Sequence, residues 1–349
     1  MNTIAIQPGA PRLALSLGLI MALAGLAVLP ALLPSFMLLQ LSLTLTYAMA
    51  ILGLNLLLGY SGQVCLAQGA FFACGAYTTG ILAAKYGWDP LLTLPVAALA
   101  AAAVGVLIGL PALRLGGLQL AIMTFGIAMV APQLILKLER YTNGVTGLGI
   151  DQPAPPAWFP ASAEVWLYCL CVAGAALCVL LMLRLVRGDT GRTLRALRDN
   201  PKIAEALGVN LTRTRLAVFA VSSGFAGLAG GLYAIVNAYI SPQSFLAAKS
   251  IEILIGAIVG GIASIGGAFL GAAFVVFVPE WSAEIDPAIG GLVYGCCLIA
   301  MMLLARQGLA GLAAQLRRRF GARLAPFTAF QRPRTPAASN NQEIAHGNT

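Results

Sequence analysis

The sequence predicts an all-α, polytopic transmembrane helical bundle of about eight to ten spans, with one broken or re-entrant region near 250–278. Three observations carry this reading. The 349 residues are 59% hydrophobic and only 9% charged, with a mean hydropathy of +0.88, whereas soluble domains hold roughly 25% charged residues. Apolar runs near the ~20 residues needed to cross a bilayer recur along the chain. The basic residues gather in a few segments between those runs. The ~10-residue alternating strands of a transmembrane β-barrel are missing from the pattern.

The runs fall at about 13–33, 36–58, 64–84, 91–110, 118–136, 163–186, 214–236, the broken stretch 250–278, and 287–305. The first follows Arg12 and precedes no convincing cleavage site, so it reads as an anchor and not a cleaved signal. Residues 1–320 read as the transmembrane domain, and the polar stretch 321–349 as a disordered cytoplasmic tail. With the N-terminus inside and one crossing per run, Lys85, Lys137, Arg140 and Lys249 fall outside. The other seventeen of the twenty-one Lys and Arg residues then fall inside, in the positive-inside sense. This requires 250–278 to return to the side it entered from, which keeps the acidic turn Glu280, Glu284, Asp286 outside.

The glycines offer a way to make that return. Gly256, Gly260, Gly261, Gly266, Gly267 and Gly271 interrupt the run, which exceeds one span in length. The expectation is two short helices or a re-entrant pair meeting between Gly260-Gly261 and Gly266-Gly267, with the backbone buried in protein or lining a cavity. The plainer reading is a small-residue surface for helix packing. An earlier glycine-rich stretch, G-Y-S-G-Q-V-C-L-A-Q-G-A-F-F-A-C-G-A-Y at 59–77, loosely resembles G-G-I-A-S-I-G-G-A-F-L-G-A-A-F at 260–274. Paired interruptions of this kind point to a pathway at a repeat interface.

Between two apolar stretches lies one polar island, residues 187–215. Asn200 is placed to cap a helix, Pro201 to occupy its first position and Gly208 to follow its end. The helix between them spans about seven residues, with Ile203, Ala204, Ala206 and Leu207 apolar and Glu205 polar. Upstream, Leu194 and Leu197 recur at helical spacing while Arg192, Arg195 and Arg198 face elsewhere, which predicts a second short amphipathic helix. Two rigid helices rich in small residues suit docking into a partner's cleft. A loop that only fixes topology explains the arginines but not the cap and the Pro–Gly bounds.

The residues G-R-T-L-R-A-L-R-D-N-P-K-I-A-E-A-L-G-V-N (191–210) resemble the cytoplasmic coupling loop of ABC importer permeases, most of all the branched-chain amino acid, LivM-like branch. The likeness continues, in order, through 59–77, G-L-P-A-L-R-L-G-G-L-Q-L-A-I-M-T-F-G (109–126) and T-N-G-V-T-G-L-G (142–149). It runs on through S-G-F-A-G-L-A-G-G-L-Y (223–233), S-P-Q-S-F (241–245) and S-I-E-I-L (250–254), covering about 35–310. Two departures stand out. Ala204-Glu205-Ala206 replaces a Glu followed by two Ala, and Ala67-Gln68-Gly69 replaces Gly-His-Ala or Gly-Gln-Ala. They leave room for a substrate other than leucine, isoleucine or valine.

The resemblance implies a homologous second permease subunit, two ATP-binding cassette subunits and an extracytoplasmic solute-binding protein, in a bacterial inner membrane with both termini cytoplasmic. It also implies alternating access as the mechanism, and relatives that serve urea, short amides or aromatic acids. The sequence has no G-x-x-x-x-G-K-[ST] motif, so ATP and Mg are expected on the partner ATPase chains and no cofactor on this one. The positive net charge follows orientation in the bilayer and is not a nucleic-acid signature.

Polar residues in apolar surroundings are the candidates for the path: Asn55, Tyr60, Ser61, Gln63 and Gln68 at the first glycine region, Thr124 within a span, and Glu252 at the opening of the broken region. The alternatives stay open. Glu252 could pair with Lys249, the glutamines could bond across helices, and Tyr60, Trp88, Trp158 and Trp166 could be interface anchors. The seven cysteines lack metal-site spacing and read as apolar fillers, and the lone His346 lies in the polar tail. With no histidine, almost no carboxylate and no dyad in the spans, an intramembrane enzyme is disfavoured. A passive channel leaves the docking island unexplained.

Overall fold

A computed structural model of the chain describes residues 34–112, 115–156, 162–285, 290–304 and 308–312. The expected span 13–33, Arg12, Arg114, Trp158, Asp286, the basic residues from Arg306 onward and the tail 321–349 lie outside the described residues.

In chain order the helices are α1 (Ser35–Asn55, continued by a π-helical turn, Leu56–Tyr60), α2 (Gln68–Tyr86), α3 (Pro90–Ala112), α4 (Leu118–Lys137) and α5 (Ala163–Arg187). Then follow α6 (Asp189–Asp199), α7 (Pro201–Ala206), α8 (Leu211–Asn237), α9 (Ala247–Gly260), α10 (Ile265–Ile285) and α11 (Gly290–Leu304). Extended structure among the described residues is one antiparallel pair, β1 (Leu148–Gly149) with β2 (Tyr239–Ile240). Among the described residues, six segments are long and apolar enough to cross a membrane: Ser35–Tyr60, α3, α4, α5, α8 and Ile265–Ala283. The fold is the expected all-α bundle. At 14 residues α9 is about 21 Å long, short of the ~30 Å hydrocarbon core.

α1 and α8 form the centre. Over their most apolar eighteen residues 83% of α1 and 72% of α8 is buried, against 22% in α3, 33% in α4 and 28% in α5. The outer helices keep bare aliphatic faces, including Leu99, Leu107, Leu118 and Ile122, as expected of surfaces that meet lipid or a neighbouring subunit. Glycine lets the central helices approach closely. A Cβ at Gly75 of α2 would sit 2.0 Å from the Gly227 carbonyl oxygen of α8, so the 223–233 motif is a packing device.

α9 and α10 run antiparallel through a four-residue turn, Gly261–Ser264. Gly256 and Gly260 face Gly267 and Gly271 backbone to backbone. A Cβ at Gly260 would lie 2.0 Å from the Gly267 oxygen, and one at Gly271 1.9 Å from the Gly256 oxygen. Each helix thus contributes a small-x-x-x-small pair to one tight crossing. Both glycine readings therefore describe this region: the helix is broken and the glycines pack it. Gly261 (φ 113°) and Ala263 (φ 66°) supply the left-handed turn, while Gly266 has open space around its α-carbon.

Three boundaries differ from expectation. The run expected from residue 64 becomes helical only at Gln68. Residues 62–67 form an irregular connection, beginning with Gly62 at φ 70°, and the Leu66 N–H donates to Thr124 Oγ1 at 2.9 Å. The acidic turn is instead the end of α10, which continues through Pro279 to Ile285; Ser282 Oγ donates to the Pro279 carbonyl and Gln40 to the Glu280 carboxylate. Lys249, expected in an outer loop, is drawn into the bundle as described below.

Candidate functional site: docking knob and central path

The polar island folds as two short helices in sequence. α6 turns Leu194 and Leu197 inward, at 0% and 2% exposure, and keeps its arginines on other faces. Arg192 pairs with Asp189 at 2.9 Å in full exposure, a contact worth little. Arg195 Nε donates to the Gly191 carbonyl. Arg198 Nη1 crosses to the chain's first glycine region and donates to the Gly59 carbonyl at 2.6 Å.

α7 is held at both ends. Asn200 Oδ1 accepts from the Ile203 N–H at 3.3 Å, Pro201 fills the first helical position and Gly208 takes φ 85° after the last turn. The Val209 N–H returns to the Ala204 carbonyl. Asn210, which sequence reading passed over, caps α8 by accepting from the Arg213 N–H at 3.0 Å. Ala204 is the one fully buried residue of α7. Lys202, Glu205 and Ala206 are exposed, and so are the large apolar side chains Ile203 (58%) and Leu207 (77%). The apolar set therefore divides, with Ala204 seating α7 on the bundle and Ile203 and Leu207 presented outward.

The knob sits at one end of the bundle, together with the π turn and the α9–α10 turn. Tyr60 Oη donates to the Ala263 carbonyl at 2.7 Å and Asn55 Nδ2 to the Ser264 carbonyl at 3.3 Å. Gly59 abuts the Ala263 backbone so closely that a Cβ would lie 2.6 Å from its nitrogen. The two glycine-rich regions thus meet, and Arg198 fastens the island to the same point. π-Helical turns of this kind are frequent at functional sites.

The remaining path candidates are internal fasteners. Ser61 Oγ donates to the Leu57 carbonyl and accepts from Gln63 Nε2. Gln68 Nε2 lies 3.2 Å from the Ala50 oxygen and 3.3 Å from the Ser222 oxygen, while Ser222 Oγ donates to Gly53. Thr124 Oγ1 donates to the Leu120 and Ala121 carbonyls and accepts from the Leu66 N–H of the irregular 62–67 connection. Glu252 pairs with Lys249, one of the readings the sequence left open, and Tyr47 joins the pair. Tyr47 Oη donates to Glu252 Oε2 at 3.0 Å, and Lys249 Nζ reaches the same oxygen at 3.1 Å and also the Tyr47 hydroxyl. The signal was the Lys249–Glu252 spacing of three; Tyr47 gave none within an apolar run.

At the opposite end, the 142–149 motif closes against the segment after α8. Leu148 pairs with Ile240, Tyr239 Oη donates to the Thr146 carbonyl, and Phe245 packs against Tyr77, Phe72 and Tyr233. Lys85 Nζ donates to the Arg140 carbonyl there. No group of three or more metal-ligating side chains occurs among the described residues.

A family model described as branched-chain amino acid transport system / permease component matches residues 36–302. The high-affinity branched-chain amino acid transport system permease protein LivM of Salmonella typhimurium is 32% identical over 293 residues, which cover 77% of this chain and 68% of that protein. LivM of Escherichia coli K12 is 33% identical over the same shares. The autoinducer 2 import system permease protein LsrC of Salmonella paratyphi B is 28% identical over 355 residues, 93% of this chain and 96% of that protein. No solved structure matches.

Proposed function

The chain belongs to the family of branched-chain amino acid transport permease components of ABC importers, and from that premise we propose that it carries branched-chain or related hydrophobic amino acids into the cytoplasm. It is a multi-pass membrane protein and the permease component, not the ATP-hydrolysing one. In the proposed assembly it pairs with a second, homologous permease in the bacterial inner membrane. Two ATP-binding cassette subunits dock on the island, and a solute-binding protein delivers substrate to the opposite face. The island end is assigned to the cytoplasm because Arg184, Arg187, Arg192, Arg195, Arg198, Lys202, Arg213 and Arg215 gather there, whereas Lys85, Lys137 and Arg140 mark the other end. Both termini are then cytoplasmic.

The observation that carries the coupling role is the rigid knob with outward Ile203 and Leu207, fastened through Arg198 to Gly59. Exposed aliphatic side chains on a doubly fixed helix of Asn200–Gly208 fit a cleft in a soluble partner. Movement of such a partner reaches Gly59 and Tyr60 directly, and through Ala263 the hinge between α9 and α10. The bundles on either side then rock about a central path, assigned to Asn55, Tyr60, Ser61, Gln63, Gln68, Thr124 and Glu252, with Gly260, Gly261, Gly266 and Gly267 at the hinge. Most of these side chains are already bonded within the chain, so their share in the path is to shape and hold it. Glu252 keeps an open side.

The test is reconstitution with the second permease, the ATPase pair and the binding protein in proteoliposomes. ATP-dependent accumulation of radiolabelled leucine, isoleucine or valine supports the reading. Accumulation of urea, a short amide or an aromatic acid in their place retains the importer and replaces the substrate class, and uptake that persists without ATP overturns the coupling.

A further inference from the structure

The Lys249–Glu252 pair lies in the middle of a membrane span. Tyr47, which bonds both, is the thirteenth residue of Ser35–Tyr60, about 18 Å from one end and about 20 Å from the other. Ionised groups at such depth are costly and are found facing a bundle interior or a water-filled cavity, where they mark solute or ion pathways.

The two charges are treated differently. Lys249 is enclosed: its side chain is 12% exposed, and its ammonium lies 5.0 Å from the Tyr47 ring centroid and 5.7 Å from that of Tyr233. Glu252 is open, with its side chain 37% exposed. Its Oε2 receives both bonds, from Lys249 and Tyr47, and its Oε1 receives none among the described residues. A pair kept only for packing has no need of an open carboxylate oxygen, and lipid chains offer it no donor. α2 and α9 both begin at this depth, where the Gly69 N–H donates to Ser250 Oγ at 2.9 Å. Interrupted helices that start near the midplane are the usual frame of a transporter's solute site.

We propose that Glu252 Oε1 holds the primary ammonium group of the transported solute, with Lys249 and Tyr47 as positioning residues that fix the carboxylate through its other oxygen. The inference rests on the importer reading and deepens it. The Lys–Glu pair is neutral overall, as an α-amino acid zwitterion is, so docking adds no net charge to the site. Urea or an aromatic acid brings no ammonium group to it.

The test uses the assembled complex in proteoliposomes with radiolabelled leucine. Glu252→Gln removes the charge-assisted bond and is expected to lower uptake at low leucine about tenfold or more, chiefly through a raised KM. Because a lone change can leave a buried charge unpaired, the pair is also replaced together, Lys249→Met with Glu252→Met, an exchange that buried ion pairs commonly tolerate. That variant is expected to keep its thermal midpoint and its co-purification with the ATPase and to lose leucine uptake at least tenfold. Uptake within twofold of the unaltered complex overturns the site. A third arm does not depend on transport: Glu252→Cys, in a chain whose seven cysteines are changed to alanine, is treated with a charged, membrane-impermeant thiol reagent. Reaction supports a water-filled path reaching residue 252 and absence of reaction overturns the site; leucine protection is not the readout, because this variant lacks the carboxylate that holds the solute. The importer reading fails separately, on absence of ATP-driven uptake by the unaltered complex.

Discussion

The guanidinium of Arg198 and the carbonyl of Gly59 meet at 2.6 Å, joining the docking island to the π turn that ends the central helix. A hydrogen bond from a charged donor contributes roughly 1.5–3 kcal/mol. Arg198→Ala is therefore expected to leave ATPase co-purification intact, because the exposed knob is untouched, while reducing ATP-driven uptake about tenfold. Measuring uptake per ATP hydrolysed separates the two effects. Unchanged stoichiometry in this variant would exclude Gly59 from the coupling route.

Ile203 and Leu207 are exposed and contribute little to the bundle's own stability. Ile203→Asp with Leu207→Asp is expected to shift stability by no more than about 0.5 kcal/mol and to abolish pull-down of the ATPase subunits from detergent extracts. A variant that still retains the ATPase places the docking contact elsewhere.

Asn200 holds the entrance of α7 through its side chain. Asn200→Ala costs about 1 kcal/mol of helix stability, and in a six-residue helix that loss is expected to fray the knob. ATPase affinity in a titration is expected to fall about fivefold and to recover in Asn200→Asp, which restores an acceptor oxygen. Failure of Asn200→Asp to recover affinity would point to an amide-specific contact with the partner instead of a cap.

Why this much was legible in the sequence, and no more, has a physical basis. Span positions followed from hydropathy because a bilayer requires runs of fixed length, and the knob followed from Asn200, Pro201 and Gly208 because capping is local chemistry. The fastening of Arg198 to Gly59 and the meeting of Tyr47 with Lys249 join residues 139 and 202 positions apart, and no local pattern encodes them. Lys249 reads as a loop cation in the sequence: its pairing with Glu252, three residues on, is legible there, but Tyr47 and Tyr233 join it only once α1, α8 and α9 are packed. Polarity within an apolar run picks out Gln63, Gln68 and Thr124, but it does not name the atoms they bond, Ser61, Ala50 and Leu120 among them.

The α9–α10 crossing offers a contrast between glycines of one short sequence. A Cβ at Gly260 meets the Gly267 backbone oxygen at 2.0 Å, and backbone cannot rotate away as a side chain can, whereas Gly266 has nothing within 4 Å. Gly260→Ala is expected to separate the two helices at a cost of about 1–3 kcal/mol, lowering the thermal midpoint in detergent and the rate of uptake together. Gly266→Ala is expected to leave the midpoint unchanged or raise it slightly, since alanine narrows the unfolded ensemble without a clash. Equal effects of the two substitutions would mean that the glycines serve chain flexibility throughout the hinge, and that close packing of Gly260 on Gly267 does not define it.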